Sequence, residues 1–278
     1  MIIGFQGEPG AYSEIAASRI GTPRGFRTFL DVFQAIIKND VQCGALPIEN
    51  SLGGSIHENY DLLLKYPVEI IAETFVRVEH CLLGLPGTKI ETARQVLSHP
   101  QALLQCDKFL NEHPGLEPIA AYDTAGSAKL ILESGSKEKL AIASERAAEV
   151  YGLEILQRGI ATLSDNFTRF VIVAPKKAGK EAFGVPLETS KTSLVFSLPH
   201  ETGSLFHALS VFALRNINLT KIESRPLRER PFEYLFYIDY QEPKEKERGE
   251  RAINHLTEIT SFLAVLGSYG CIGDSPVS

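Results

Sequence analysis

Several stretches of the chain place short polar side chains at the junction of an apolar run and a helical pattern, where donors can converge on a small ligand. Gly4-Phe5-Gln6-Gly7-Glu8-Pro9-Gly10-Ala11-Tyr12-Ser13 reads as a strand, a glycine-rich turn and a helix start. Such a turn turns backbone N–H groups and the positive end of a helix dipole toward an anion. The plainer reading is a tight turn with a serine near the helix start. Cys43 to Ser55, CGALPIENSLGGS, repeats the plan. Asn50, Ser51 and Ser55 offer donors to a carboxylate there, unless Ser55 simply caps a helix. In Leu97 to Cys106, LSHPQALLQC, Pro100 suits the first helical position, and Gln101 and Gln105 lie four apart on one helix face. Ser98 and a glutamine could face a cleft, or the glutamines could merely be solvated. Leu163 to Val173, LSDNFTRFVIV, sets hydroxyl, amide and guanidinium groups ahead of an apolar strand end.

Other chemistries have no residues to carry them. The first glycines run G-x-x-G-x-x-G rather than GxGxxG, so a dinucleotide site is poorly supported. No GxSxG elbow or GxxxxGK[ST] loop occurs, which removes the commonest hydrolase and nucleotide signals, and the seven histidines show no HExxH or other ligand spacing, so a catalytic metal is not expected. Cys43, Cys81, Cys106 and Cys271 lie far apart without a CxxC, which reads as reduced buried thiols, with disulfides as the weaker alternative. A net charge of -6 without basic, aromatic-interleaved stretches argues against nucleic acid. No apolar run reaches the length of a membrane span, and the start MIIGFQGEPG enters a strand at once. A cytosolic protein is expected, or a plastid one if a transit peptide has been removed.

The elements that must hold these residues follow from periodicity. Apolar runs of strand length near residues 2–5, 26–29, 43–48, 68–78, 80–85, 94–97, 117–122, 140–143, 154–158 and 167–173 alternate with helical patterns at 12–20, 31–38, 55–65, 100–112, 124–133 and 144–151. That alternation predicts an α/β architecture. The long run at 68–78 has the length to cross between lobes, so two α/β lobes with a cleft are expected. Lobe one covers about 1–75 and 161–178, and lobe two about 76–160. Residues 179–190 have linker composition. Beyond them, strand 192–198, a helix from Gly203, strand 219–224, a turn with Pro226 and Pro231, strand 233–240, a helix at 247–266 and strand 269–272 give a ferredoxin-like βαββαβ domain over 191–278.

Taken together and in order, GEPGAYSEIAA, LPIENSLGGSI, VLSHPQALLQC, SDNFTRF and KIESRP resemble monofunctional prephenate dehydratases that end in an ACT regulatory domain. The resemblance covers about residues 2–273. It implies a type II periplasmic-binding-protein-like catalytic domain over 1–178, with its active site between the lobes. The implied reaction converts prephenate to phenylpyruvate, water and carbon dioxide in phenylalanine biosynthesis; aromatisation would drive it, so neither a metal nor an organic cofactor is expected. Arogenate dehydratase, acting on the α-amino analogue, is the near alternative, and a non-catalytic amino-acid sensor the distant one.

The resemblance also assigns roles. Thr168 matches the family's essential threonine, and Asn50, Ser98 and Gln105 match positions that orient substrate. Glu49 is expected as their hydrogen-bond partner. Gly10, Ala11, Tyr12, Ser13, Ser51, Ser55, Asn166, Phe167, Arg169 and Phe170 complete the expected substrate contacts. Strand alternation puts Thr168 and Phe170 on one face and Arg169 on the other, so an ion pair pinning the strand competes with a ligand contact for Arg169. In ACT domains an amino acid binds between two copies. Here the matching stretches hold Gly203, Ser204, Leu205 and Phe206, then Asn216, Asn218, Leu219 and Thr220, then Glu223, Ser224, Arg225 and Pro226. Gly-Ser-Leu stands where the family commonly has Gly-Ala-Leu. L-Phenylalanine is the implied feedback inhibitor, acting on a homodimer or homotetramer.

Overall fold

A computed structural model describes every residue except 177, 179–182, 186–187, 228–232, 274 and 277–278. The expected linker falls partly, and Pro231 wholly, outside the described residues. Contacts divide the chain into two compact units: Met1–Tyr66, Thr74–Pro175 and Gly273–Ser278 form one, and Pro67–Glu73 with Lys176–Ile272 the other.

The first unit opens with β1 (Ile2–Gln6), α1 (Tyr12–Ser18), β2 (Thr22–Phe26), α2 (Phe29–Ile37), β3 (Cys43–Asn50), the short β4 (Gly54–Ser55) and α3 (His57–Lys65). β5 (Val68–Arg77) follows and runs from the second unit into the first. β6 (Cys81–Gly84), β7 (Gln95–Ser98), α4 (Pro100–Gln105), α5 (Asp107–Glu112), β8 (Glu117–Ala120), α6 (Thr124–Ser134), β9 (Lys139–Ala143), α7 (Glu145–Tyr151) and β10 (Glu154–Gln157) build lobe two. β11 (Phe167–Pro175) returns to lobe one. The lobe-one strands run β11-β3-β1-β2, with β1 parallel to both neighbours and β11 antiparallel to β3. Lobe two is a separate sheet in the order β10-β6-β9-β7-β8. Two α/β lobes joined by two crossing segments are thus present, as expected.

Local chemistry explains these boundaries. α2 starts at a capping box in which Thr28 Oγ1 accepts from Asp31 N–H at 3.1 Å and Asp31 Oδ2 accepts from Thr28 N–H at 3.1 Å, so the expected strand at 26–29 ends instead at Phe26. That strand, Thr-Pro-Arg-Gly-Phe, lies at the sheet edge, where Pro23 leaves no central ladder bond unmade. The expected helix at 100–112 is two helices, because Cys106 leaves helical geometry at φ -108°, ψ 20°. Pro47 lies opposite Phe170, and the register with β11 shifts there, so Ile48 bulges out of β3 while β11 keeps its alternation.

The second unit holds β12 (Lys191–Ser197), α8 (Ser204–Ala213), β13 (Leu219–Pro226), β14 (Tyr234–Gln241), α9 (Lys246–Ile259) and β15 (Phe262–Cys271). Their order is βαββαβ, and the strands lie antiparallel as β13-β14-β12-β15. Leu194, Phe196, Ile238 and Tyr240 of the sheet pack on Ala208, Val211 and Phe212 of α8 and on Ala252 and Leu256 of α9. The last helix ends at Ile259, not Leu266, because Phe262 to Leu266 continues the sheet as β15. A short apolar run has the same periodicity in a buried helix as in a buried strand. Residues Pro67–Glu73 also differ from the expected lobe one: Gly270 and Cys271 of β15 pair in parallel with Ala72 and Glu73, and Lys191 Nζ binds both Glu73 oxygens at 2.8 and 3.0 Å.

Candidate active site

The first unit contains a cleft of about 560 Å³ between its lobes, within the size range of small-molecule sites. Thr168 and Phe170 of β11 and Pro47 of β3 line it, as do Ala11, Tyr12 and Ser13 at the start of α1. His99, Gln101, Tyr122 and Asp123 line it from lobe two. Thr168 and Phe170 thus share the cleft face of β11.

A chain of amides stands behind Thr168. Asn50 Nδ2 donates one hydrogen to Asn166 Oδ1 at 2.6 Å and shares the other between Thr168 Oγ1 at 3.0 Å and the Phe167 carbonyl at 3.2 Å. Asn166 Nδ2 donates in turn to Gln105 Oε1 at 3.1 Å. The direction is fixed from the backbone, because Leu52 N–H and Gly53 N–H donate to Asn50 Oδ1 at 3.1 and 2.7 Å and so leave its nitrogen for Thr168. Thr168 Oγ1 is therefore an acceptor toward Asn50, and its own hydrogen is available to the cleft. Ser51 supports the same corner: its Oγ accepts from Phe167 N–H at 3.0 Å and donates to the Asp165 carbonyl at 3.2 Å.

Arg169 points the other way. Its Nη1 lies 3.0 Å from Glu49 Oε1, and the two residues are directly opposite in the β11–β3 register. The arginine is buried and does not line the cleft. Glu49 is accordingly occupied by Arg169 rather than by the Asn50 amide chain.

Other expected contacts sit elsewhere. Ser98 is fully buried and donates to the Ile142 carbonyl at 2.6 Å, which turns its hydroxyl into the lobe-two sheet. Ser55 does not cap α3: it belongs to β4, opposite Glu49, and Ile56 takes the cap position. Gly10 is held between the lobes, its N–H donating to Glu14 Oε2 and its carbonyl accepting from Ser144 Oγ at 2.6 Å. At φ +93° a side chain there is strained, and an added Cβ would lie 2.6 Å from Ala147 Cα. The Gly10 amide is thus committed to the fold.

Sequence reasoning passed over His80. Its Nε2 is 2.8 Å from Gln105 Oε1, and its ring meets Tyr12 edge-on at 6.0 Å. Burial lowers the imidazole pKa, with the Gln105 hydrogen bond opposing in part, a shift that favours the neutral ring. Tyr12 donates to the Glu79 carbonyl at 2.7 Å, and burial first, then Cys81, Cys106 and Glu79, push its phenol well above the ordinary range. A histidine without ligand spacing gave no signal in the sequence, since its partners come from elements far along the chain.

In the second unit, Leu205 lines a pocket of about 110 Å³ with Leu198, His200, Glu201, Tyr234 and Phe236. Gly203 starts α8 at φ 85°, Ser204 Oγ donates to the Glu201 carbonyl at 3.0 Å, and Phe206 is exposed. Ser224 and Pro226 of β13 pair opposite Phe236 and Tyr234, with Glu223 and Arg225 alternating between them. Asn216, Asn218, Leu219 and Thr220 lie at the other end of β13, where Asn218 Nδ2 donates to Gln241 Oε1 at 3.1 Å. One chain therefore does not bring all the expected regulatory residues to one place.

The cleft can seat a small ligand beside one oriented hydroxyl, and among the described residues no cluster of histidine, cysteine or carboxylate side chains could hold a metal ion. The sequence model of the family described as prephenate dehydratase matches residues 3–178. Over 287 residues, 96% of this chain and 71% of the relative, the sequence is 47% identical to arogenate dehydratase/prephenate dehydratase 1, chloroplastic, of Arabidopsis thaliana. A solved prephenate dehydratase from Arthrobacter aurescens in complex with L-Phe superposes with TM-score 0.88 at 27% identity, over 100% of this chain and 92% of that one. A second solved structure, GqqA, described as a novel type of quorum quenching acylase, superposes with TM-score 0.87 at 35% identity over 99% of both chains. The fold is shared along the whole chain, and the catalytic part matches the family's own model. The chain belongs to the prephenate dehydratase family and is a dehydratase of aromatic amino acid biosynthesis.

Proposed function

We propose that the chain converts prephenate to phenylpyruvate, water and carbon dioxide. The observation that carries this reading is the Asn50 amide donating to Thr168 Oγ1, which directs the threonine hydrogen into the cleft. As the ring C–O bond breaks, its electron pair leaves with the oxygen, which takes up a proton from solvent to depart as water, and the hydrogen bond from Thr168 strengthens as charge grows there. The bond to the ring carboxylate breaks in the opposite sense, its electrons moving into the ring to complete the aromatic system as carbon dioxide departs. A threonine hydroxyl is a weak acid in water, so its contribution is position rather than acidity. Ala11, Tyr12, Ser13 and Phe170 form the surrounding wall, and Gln105, Asn50 and Asn166 hold the threonine from behind.

Arogenate is the second substrate to test, because relatives carry both names. Acyl transfer, suggested by the description of GqqA, needs a base that takes a proton from the nucleophile. The group facing Thr168 Oγ1 is instead a donor, which suits a hydroxyl that gives a hydrogen bond to its ligand. For the second unit we favour a regulatory ACT domain that binds L-phenylalanine in a homodimer or homotetramer, supported by its βαββαβ order and by the ligand of the Arthrobacter relative. The chloroplastic relatives make a plastid the alternative to the cytosol.

The test is turnover of prephenate and of arogenate by the full chain, with and without phenylalanine. Wild type should release phenylpyruvate from prephenate, and Thr168→Val should lose most turnover while keeping its melting temperature. A folded, fully active Thr168→Val would overturn the assignment. Faster turnover of arogenate would move the substrate, and kinetics unchanged across millimolar phenylalanine would remove the regulatory reading.

A further inference from the structure

We propose that His80 is a positioning residue for the Thr168 hydroxyl, acting through Gln105, Asn166 and Asn50. The inference rests on Thr168 being the donor of the dehydration.

The polarity of the network leaves one arrangement. The backbone N–H groups of Leu52 and Gly53 hold the oxygen of Asn50, so its nitrogen faces Asn166 and Thr168. Asn166 must then offer its oxygen to Asn50 and its nitrogen to Gln105. Gln105 Oε1 is therefore the acceptor at which the chain ends, and the only ring nitrogen facing it, His80 Nε2 at 2.8 Å, must carry a hydrogen. Two donors converge on one oxygen, Asn166 from one side and His80 from the other. An amide with a single donor can turn over and present nitrogen to nitrogen; the second donor removes that option.

The neighbours of His80 fix its ring as well. Tyr12 packs edge-on against it, with its hydroxyl committed to the Glu79 carbonyl at 2.7 Å and lying 3.4 Å from Nδ1. The His80 carbonyl accepts from Ile160 N–H at 3.1 Å, and Val78 N–H donates to the Asn166 carbonyl at 2.8 Å. His80 and Asn166 thus sit on the two segments that cross between the lobes, and the backbone bonds joining those segments bracket them. Gln105 belongs to lobe two, Asn50 and Thr168 to lobe one, and His80 closes the chain where the crossings meet.

The test uses the full chain and its variants at His80, Gln105 and Thr168. His80→Leu keeps apolar bulk and removes the donor; kcat should fall about 10- to 100-fold with KM nearly unchanged, since a misplaced group costs rate rather than ligand binding. His80→Gln, whose amide nitrogen reaches the place of Nε2, should recover most of the rate, whereas His80→Asn, one methylene shorter, should not. Added to Thr168→Val, the His80→Leu change should have no further effect, because the hydroxyl it positions is already gone. A residue with a merely structural role would lower the melting temperature and leave this split and the rescue absent. Independently of turnover, ring-nitrogen NMR of histidine-labelled protein, assigned with His80→Gln, should show a neutral Nε2–H ring whose signal moves in Gln105→Leu. Absence of wild-type turnover on prephenate and arogenate would overturn the reaction, while the ring signal would still decide the coupling. A charged or Nδ1–H ring, or wild-type kcat in His80→Leu, would overturn the proposal.

Discussion

Replacing Arg169 with methionine asks which face of β11 carries chemistry. The arginine is 4% exposed and its guanidinium sits 3.0 Å from Glu49, whose side chain is 30% exposed. Two unit charges at that separation attract by roughly 5 kcal/mol at an effective dielectric near 20, and desolvation of both ions offsets much of it. Removing one ion is costlier than the pair is stabilising, because the partner keeps its desolvation and loses the arginine's share of its compensation. Fully buried cases cost about 3–5 kcal/mol, and the partial exposure of Glu49 lowers the expectation to about 2–4 kcal/mol. In a domain of this size that corresponds to a fall in melting temperature of roughly 5–12 °C. The chain has no tryptophan, so the melt is best followed by backbone circular dichroism alongside a phenylpyruvate assay. KM should stay within about threefold of wild type, as for a residue that binds no substrate. A KM raised a hundredfold with an unchanged melt would refute the placement of Arg169 on the far face.

Gly10→Ala should destabilise the first unit by about 2 kcal/mol or more, since it combines a left-handed backbone with a clash at Ala147, and a thermal melt would register it. Lys191→Met should cost about 3 kcal/mol by stripping buried Glu73 of the ammonium that bonds both its oxygens, read as a lower denaturant midpoint for the second unit. His80 is held below its ordinary pKa of 6.5, so the unfolded chain takes up its proton first as pH falls. Its share of stability should be whole above that value and decline on acidification below it, and His80→Gln should flatten that part of a stability–pH profile.

The sequence made the alternation of elements legible because each strand and helix announces its own period. LSDNFTRFVIV revealed that Thr168 and Phe170 share a face, since alternation is local to β11. What it could not reveal were partners chosen across distance. The assignment of Pro67–Glu73 to the second unit depends on β15, nearly two hundred residues further on. Ser98 looked like a donor at a helix start, but its hydroxyl is spent on Ile142, a pairing that only the β7–β9 neighbourhood creates. Ser55 and Ile56 differ by one position, and the bonds of β4 decided between them. His80 was invisible for the same reason: its meaning lies in Gln105 and Tyr12, neither of them adjacent in sequence.

The two crossings between lobes make lobe two an insertion within lobe one. A shortened chain that bridged Arg77 directly to Phe167 would retain β1, β2, β3 and β11, and with them Thr168 and Asn50 side by side. It would lack Asn166, Gln105 and His80, so the Asn50 amide would lose the first link of its chain and the cleft would lose a wall. Lobe one carries the Thr168 hydroxyl, and the inserted lobe supplies the amide chain behind it and one wall of its cleft.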